Sequence, residues 1–153
     1  MRSHLLGRVT LQELKALDGW LTPAQRSLFD SMHRADQRHG LDVVASLRAA
    51  GHREPDLLLA GLLHDAGKGP DVGLRHRVAW SLGERYGPSV LRIARHLPGF
   101  GVRLERIARH AEASAELCLA AGCSARTADL IRHQAQPLDP QLGEALRLAD
   151  AQN

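Results

Sequence analysis

The chain predicts an all-α protein, and three observations carry that expectation. Aromatic residues make up only 3% of a sequence that is 44% hydrophobic, so leucine and alanine must build the core. The aromatic and β-branched residues that favour strands are correspondingly scarce. Helix start signals recur at Thr10, Thr22-Pro23 and Ser124. Apolar residues at helical spacing run up to Gly51 and again to Gly122, where glycine suits a helix end. At 153 residues the chain suffices for one domain with its own core.

Thr10-Leu11-Gln12-Glu13 is a capping box and opens a short helix to about Trp20. Residues 1–20 are expected to form an N-terminal helical arm, and 21–153 the main domain. Thr22-Pro23-Ala24-Gln25 starts the next helix, whose Leu28, Phe29 and Met32 should pack on the core and lead through Asp36 to His39. From His39, the residues Leu41, Val44, Ala45 and Leu47 keep helical spacing up to Ala49-Ala50-Gly51. Pro55 suits the first turn of a helix that Leu57 to Leu63 carries to His64. At 1.5 Å per residue the first of these helices climbs roughly 16–18 Å and the second returns roughly 14–15 Å, so His39 and His64 finish level.

After Lys68, Gly69-Pro70-Asp71-Val72-Gly73 reads as a flexible loop at a pocket rim. Helices are expected over 74–86 and 89–97, and a run from Val102 leads toward His110. His110 opens a second helical run that ends at Ala120-Ala121-Gly122, with the spacing that separates His39 from Gly51. Ser124 then caps a helix that closes at Arg132-His133. Asp139-Pro140 starts the last helix, which carries Leu142, Leu146 and Asp150.

Two helical hairpins, each with a histidine at either end, can form a four-histidine pocket. His64-Asp65 closes an apolar run, and imidazole and carboxylate both bind divalent cations. Neither is usual at the end of a buried stretch unless paired or ligated. Asp150 stands in a last helical turn, where the helix dipole disfavours an anion and a cation would explain it.

The order His39, His64-Asp65, His110, His133, Asp150 resembles the HD-domain superfamily of metal-dependent phosphohydrolases. Asp65-Ala66-Gly67-Lys68 resembles the HD-x-GK form of its motif, and the similarity spans about residues 24–153. The resemblance implies a compact HD-domain helical bundle in which His39, His64, Asp65 and Asp150 hold one metal. It implies a second metal on His110 and His133, bridged by Asp65, and a phosphate contact by Lys68. Asp65 and Lys68 would then be the catalytic residues, with Lys68 also binding substrate; Arg75, His76 and Arg77 are further substrate-binding candidates because they follow the Lys68 loop. The activity implied is hydrolysis of a phosphate ester, with a nucleotide or dinucleotide as a candidate substrate, by a hydroxide bridging two cations about 3.5–4 Å apart. Histidine-rich ligation suits Fe, Mn, Co, Ni or Zn better than Mg.

The departures narrow the field. Members acting on cyclic di-GMP pair His-His-Glu with Gly-Tyr-Pro, whereas here Gln134-Ala135-Gln136 follows His133 and no Gly-Tyr-Pro exists. The stringent-response hydrolases carry an acidic pair after the motif, where this chain has Gly67-Lys68-Gly69-Pro70. The dNTP triphosphohydrolases are far longer. Two other classes use the same residues: a di-iron oxygenase, and a noncatalytic module that keeps the metals to bind a ligand.

The formal charge is +3, and Lys15 and Lys68 are the only lysines. Arginine suits bidentate phosphate binding, while a GC-rich genome that prefers Arg codons is the favoured explanation of the overall bias. The partner expected is a small phosphorylated molecule. Nucleic acid fits poorly, because no basic stripe is interleaved with aromatics. Cys118 and Cys123 match no zinc knuckle and should pack as small apolar residues in a reducing, cytoplasmic setting. No stretch approaches the roughly 18 apolar residues of a membrane span. His4, His33, His52 and His96 have no placement matching the pocket. Arg34 and Arg38, near His39, suit either the pocket or solvent.

Overall fold

The structure, a computed structural model, describes residues 8–69 and 109–153, and every regular element among them is helical. In chain order these are α1 (Leu11–Leu17), α2 (Pro23–Ser31), α3 (Arg34–Ala49), α4 (Pro55–Leu63), a 3₁₀ turn (Ala66–Lys68), α5 (His110–Ala120), α6 (Ala125–Arg132) and α7 (Leu142–Gln152). The expected helices over 74–86 and 89–97, with Arg75, His76 and Arg77, lie outside the described residues. No helix among the described residues is long and apolar enough to cross a membrane.

Local capping chemistry sets the starts. Thr10 Oγ1 accepts from Glu13 N at 3.2 Å, and Glu13 Oε2 accepts from Thr10 N at 2.8 Å. Thr22 and Gln25 exchange the same pair of bonds at the head of α2, with Pro23 in its first turn. α1 stops at Leu17, short of the expected Trp20, where Asp18 to Trp20 turn the chain and three-residue bonds take over, Gly19 N to Ala16 O at 3.3 Å and Trp20 N to Leu17 O at 3.1 Å.

The His39 helix differs from expectation at its start. The chain is extended at Met32, and His33 Nδ1 accepts from Ala35 N at 3.2 Å, which starts α3 at Arg34. His39 therefore sits in the second turn of α3 and not at its opening. The last helix also starts later than expected, at Leu142, because Asp139 Oδ1 accepts from the backbone N–H groups of both Gln141 and Leu142.

α3 and α5 end by the same device. Gly51 (φ 95°) and Gly122 (φ 78°) take left-handed backbone that side chains disfavour. His52 N then closes on Leu47 O at 3.0 Å, and Cys123 N on Cys118 O at 2.9 Å. Cys118 and Cys123 are free thiols and both are buried, as expected of small apolar residues.

α4 is the axis of the bundle. Leu57, Leu58, Ala60, Leu62 and Leu63 are all buried, as befits a helix that is apolar on every side. It packs against α2, α3, α6 and α7, and Phe29, Val43, Leu47, Ile131 and Leu146 complete the core around it. α4 and α6 begin side by side: the Ser124 and Thr127 hydroxyls donate to Asp56 Oδ1 at 2.6 and 3.0 Å. At the other end of α6, Arg132 Nε pairs with Glu112 Oε2 at 2.9 Å, in the first turn of α5.

α1 is fastened to the bundle. Leu17 and Leu21 join the core. Arg38 bridges Glu13 and Asp42 at 2.7 Å each, and Arg26 donates to Leu14 O while pairing with Asp18 and Asp30.

Candidate metal centre

Two glycines let the elements of the site approach. A Cβ on Gly40, the residue after His39, would lie 2.4 Å from Leu62 O, two residues before His64. α3 and α4 thus touch backbone to backbone beside the two histidines. A Cβ on Gly67 would lie 2.6 Å from both His110 O and Ser114 N. Gly67 N donates to Ser114 Oγ at 2.8 Å, which docks the 3₁₀ turn onto the first turn of α5 and brings His110 to Asp65.

The side chains meet in the cleft so formed. His39 Nε2 lies 2.7 Å from Asp150 Oδ1, and His64 Nε2 lies 3.4 Å from the same oxygen. Asp65 Oδ1 is 3.7 Å from His64 Nε2 and 3.4 Å from His110 Nε2. Asp65 Oδ2 accepts from Lys68 Nζ at 2.6 Å. The His39 and His64 rings meet edge to face, with centroids 5.2 Å apart. One ligand atom from each of His39, His64 and Asp65 falls within 4.8 Å of the others.

This donor set fits a divalent transition cation. Metal–ligand bonds of about 2.0–2.2 Å place neighbouring ligand atoms ~3 Å apart, and the pairs above lie at 2.7–3.7 Å. His64 is also set up for ligation. Its Nδ1 donates to Gly61 O at 3.0 Å, within α4, which leaves Nε2 facing the two carboxylates. A ring whose other nitrogen is held by a carbonyl has its tautomer and direction fixed.

The electrostatics point the same way. His64 and Asp65 are almost wholly buried, at 1% and 3% exposed. Burial opposes charge on His64, yet the Asp65 and Asp150 carboxylates outweigh it and raise the imidazole to about 9. Burial likewise works against the Asp65 carboxylate, and His64, Lys68, His110 and His39 together hold it well below the usual range. Asp150 is held low in the same way by His39 and His64, against its own burial. The buried Asp65 carboxylate and the partly exposed Asp150 carboxylate thus attract whatever positive charge is offered, a proton on His64 or a cation among them.

Of the residues singled out from sequence, His39, His64, Asp65, Lys68, His110 and Asp150 come together. His133 is the C-cap of α6 and half-buried. The Arg132–Glu112 pair sets this end of α6 beside the start of α5, while no described hydrogen bond or ion pair links the His133 ring to the cluster. Arg38 is turned toward Glu13 and Asp42, and Arg34 is exposed. Gly40 and Gly67 were missed as site residues. A glycine inside a helix costs about 1 kcal/mol against alanine, so Gly40 beside a candidate ligand was the available signal. No family model, curated protein or solved structure matches the chain.

Proposed function

We propose that the protein is an HD-type metal-dependent phosphohydrolase acting on a small phosphate ester. The observation that carries the reading is His64: a buried imidazole anchored through Nδ1 to Gly61 O, with Nε2 turned to Asp65 and Asp150 and with His39 alongside. His39, His64, Asp65 and Asp150 would hold one divalent cation. His110, which faces the same Asp65 oxygen as His64, and His133 at the neighbouring helix end would serve a second. Bound there, such cations lower the pKa of water and polarise phosphoryl oxygens.

The chain's own groups supply the rest. Asp65, held ionised, gives the site its negative charge at the point where His64 and His110 converge. The Gly61 carbonyl keeps the His64 ring from rotating. Lys68, 18% exposed in its side chain, carries the one ammonium described beside the cluster, and its charge suits an anionic oxygen entering from solvent. The Ala66–Lys68 turn holds that lysine close to the ligands, and Ser114 holds the turn.

Elemental analysis of purified protein, coupled to a panel of nucleotides and simple phosphate mono- and diesters, tests the proposal. At least one transition metal per chain and metal-dependent phosphate release are expected. Metal-loaded protein that releases no phosphate across the panel would overturn it. Oxygen uptake by iron-loaded protein would move the assignment to the oxygenase branch.

A further inference from the structure

Two buried thiols take no part in the metal centre. Cys118 is 0% exposed and Cys123 8%. The end of α5 brings them together. Gly122, with φ 78°, takes left-handed backbone, and Cys123 N returns to Cys118 O at 2.9 Å. A helix closed in this way sets the side chain of its third-last residue against that of the residue two beyond its C-cap, here the two cysteines. The direct backbone bond also holds their Cα atoms near the separation of about 4.4–6.8 Å that a disulfide spans.

The pair is asymmetric. Cys123 directly precedes the Ser124 N-cap of α6, at the positive end of that helix dipole. Gln25, 6% exposed, stands beside it. Gln25 Oε1 accepts from Thr22 N at 3.0 Å, which leaves the amide nitrogen to donate to the Cys123 sulfur. Cys118 and Gln25 hold the Cys123 thiol below its usual range, against its burial and the nearby Asp56 carboxylate. Contact with Cys123 and burial push the Cys118 thiol up. Negative charge therefore gathers on the sulfur with the greater access to solvent, the one a reactive thiol needs.

We propose that Cys118 and Cys123 are a redox-active dithiol that a small hydroperoxide oxidises to an intrachain disulfide, with Cys123 as the attacking sulfur and Gln25 as its positioning residue. The Cys123 thiolate attacks one peroxide oxygen. The S–O bond forms, the O–O bond breaks, and the departing hydroxide takes up the proton that the thiol released. The Cys118 sulfur then attacks the Cys123 sulfenic sulfur. The S–S bond forms, the S–O bond breaks, and the hydroxyl leaves with the Cys118 proton as water. Two thiols lose two electrons in all, and hydrogen peroxide is reduced to two waters. A small oxidant is required, because only an edge of Cys123 reaches solvent. The chemistry draws on no group of the metal centre: Cys118 follows His110 by eight residues along α5, about 12 Å of helix.

Treatment of the reduced full chain with hydrogen peroxide tests it, in excess chelator so that bound metal cannot oxidise the thiols. Intact mass and thiol titration in denaturant are the readouts. Wild type should lose two thiols and two hydrogen masses per chain, stay a single chain on a non-reducing gel, and recover both thiols with dithiothreitol. Cys118→Ala should stop at a Cys123 sulfenic acid that dimedone traps. Cys123→Ala should leave Cys118 oxidised about tenfold more slowly or less. Valine replaces alanine at either position should circular dichroism show a folding defect, and the wild-type result needs no variant. Gln25→Glu keeps an oxygen for Thr22 N and removes the amide donor, so the rise of oxidation rate with pH should move upward. Wild type that keeps both thiols, passes on to sulfinic acid, or joins two chains overturns the proposal. Equal rates in the two cysteine variants overturn Cys123 as the attacking sulfur, and an unmoved pH profile in Gln25→Glu overturns the part given to Gln25.

Discussion

His39 Nε2 and Asp150 Oδ1 lie 2.7 Å apart although 111 residues separate them in the chain. The contact closes the bundle, joining the second turn of α3 to the last turn of α7. Asn153 adds a neutral tether beside it, with Nδ2 donating to Ser46 Oγ at 2.8 Å and to Ala149 O at 2.7 Å. The two fastenings are separable. Asp150→Asn should lower metal retention by about tenfold or more, as loss of a ligand does, with the helix kept. Asn153→Ala should leave metal content unchanged and only fray the last turn. Metal analysis and hydrogen exchange after Leu146 distinguish them.

His64→Ala should destabilise the metal-free protein severely. It empties a site that is 1% exposed and takes one counter-charge from the Asp65 carboxylate, itself 3% exposed, and removing one partner of a buried pair costs about 3–5 kcal/mol. His39→Ala, at a half-buried ring, should cost clearly less. Urea denaturation of both variants in excess chelator checks the ranking.

Gly40→Ala and Gly67→Ala should each be damaging for a steric reason. The added methyl meets backbone atoms at 2.4 and 2.6 Å, which cannot rotate away as a side chain would. Overpacking of this kind costs about 1–3 kcal/mol, and here it also separates the ligand-bearing elements, so metal affinity should fall with stability. Gly51→Ala is the contrast. No atom lies within 4 Å of its Cβ position, and only the left-handed backbone is strained, at about 1–2 kcal/mol. Its metal affinity should be untouched.

The pH dependence of the chelator-stripped protein follows from His64. Its pKa in the fold is raised from 6.5 to about 9, so its charge stabilises the fold in full below 6.5, and that contribution is lost as pH rises through 9. The Asp65 and Asp150 carboxylates are held low, so their contribution is present above 3.8 and lost as pH falls below it. Thermal stability of the stripped protein should therefore decline from pH 6.5 to 9.5, and His64→Gln should flatten the decline. A profile unchanged by that substitution would show that other groups set the slope.

Turnover should depend on the charge of Lys68. On the proposed phosphohydrolase reading, Lys68→Ala removes the ammonium that would offset developing phosphoryl charge, and a loss of about a hundredfold in kcat is expected. Lys68→Arg should rescue it poorly, because a planar guanidinium does not fit the position of a compact ammonium. Steady-state kinetics of the two variants on whichever ester the wild type hydrolyses best is the measurement.

The sequence by itself determined that the described residues are helical, and the pairing of α3 with α4 and of α5 with α6. Those features rest on short-range chemistry: the Thr10–Glu13 box, Pro23 and Pro55 in first turns, Ser124 at an N-cap, and glycines at 51 and 122 that take left-handed backbone. His64-Asp65 at the end of an apolar run was equally legible, since buried charge needs a partner wherever it lies. His33 shows where reading along the chain falls short. Its side chain caps α3 six residues before the helix reaches the residue singled out as its start, and histidine is not among the usual capping residues. Only the tertiary structure decided which charges meet. Asp150 pairs with His39 because α7 lies against α3 and α4, Asp65 reaches His110 because Gly67 admits the α5 backbone, and Lys68 folds back onto Asp65 Oδ2 because a 3₁₀ turn follows α4. These distances depend on backbones far apart in sequence coming into van der Waals contact. Helical periodicity sets the face on which a residue stands, and packing sets what stands opposite it.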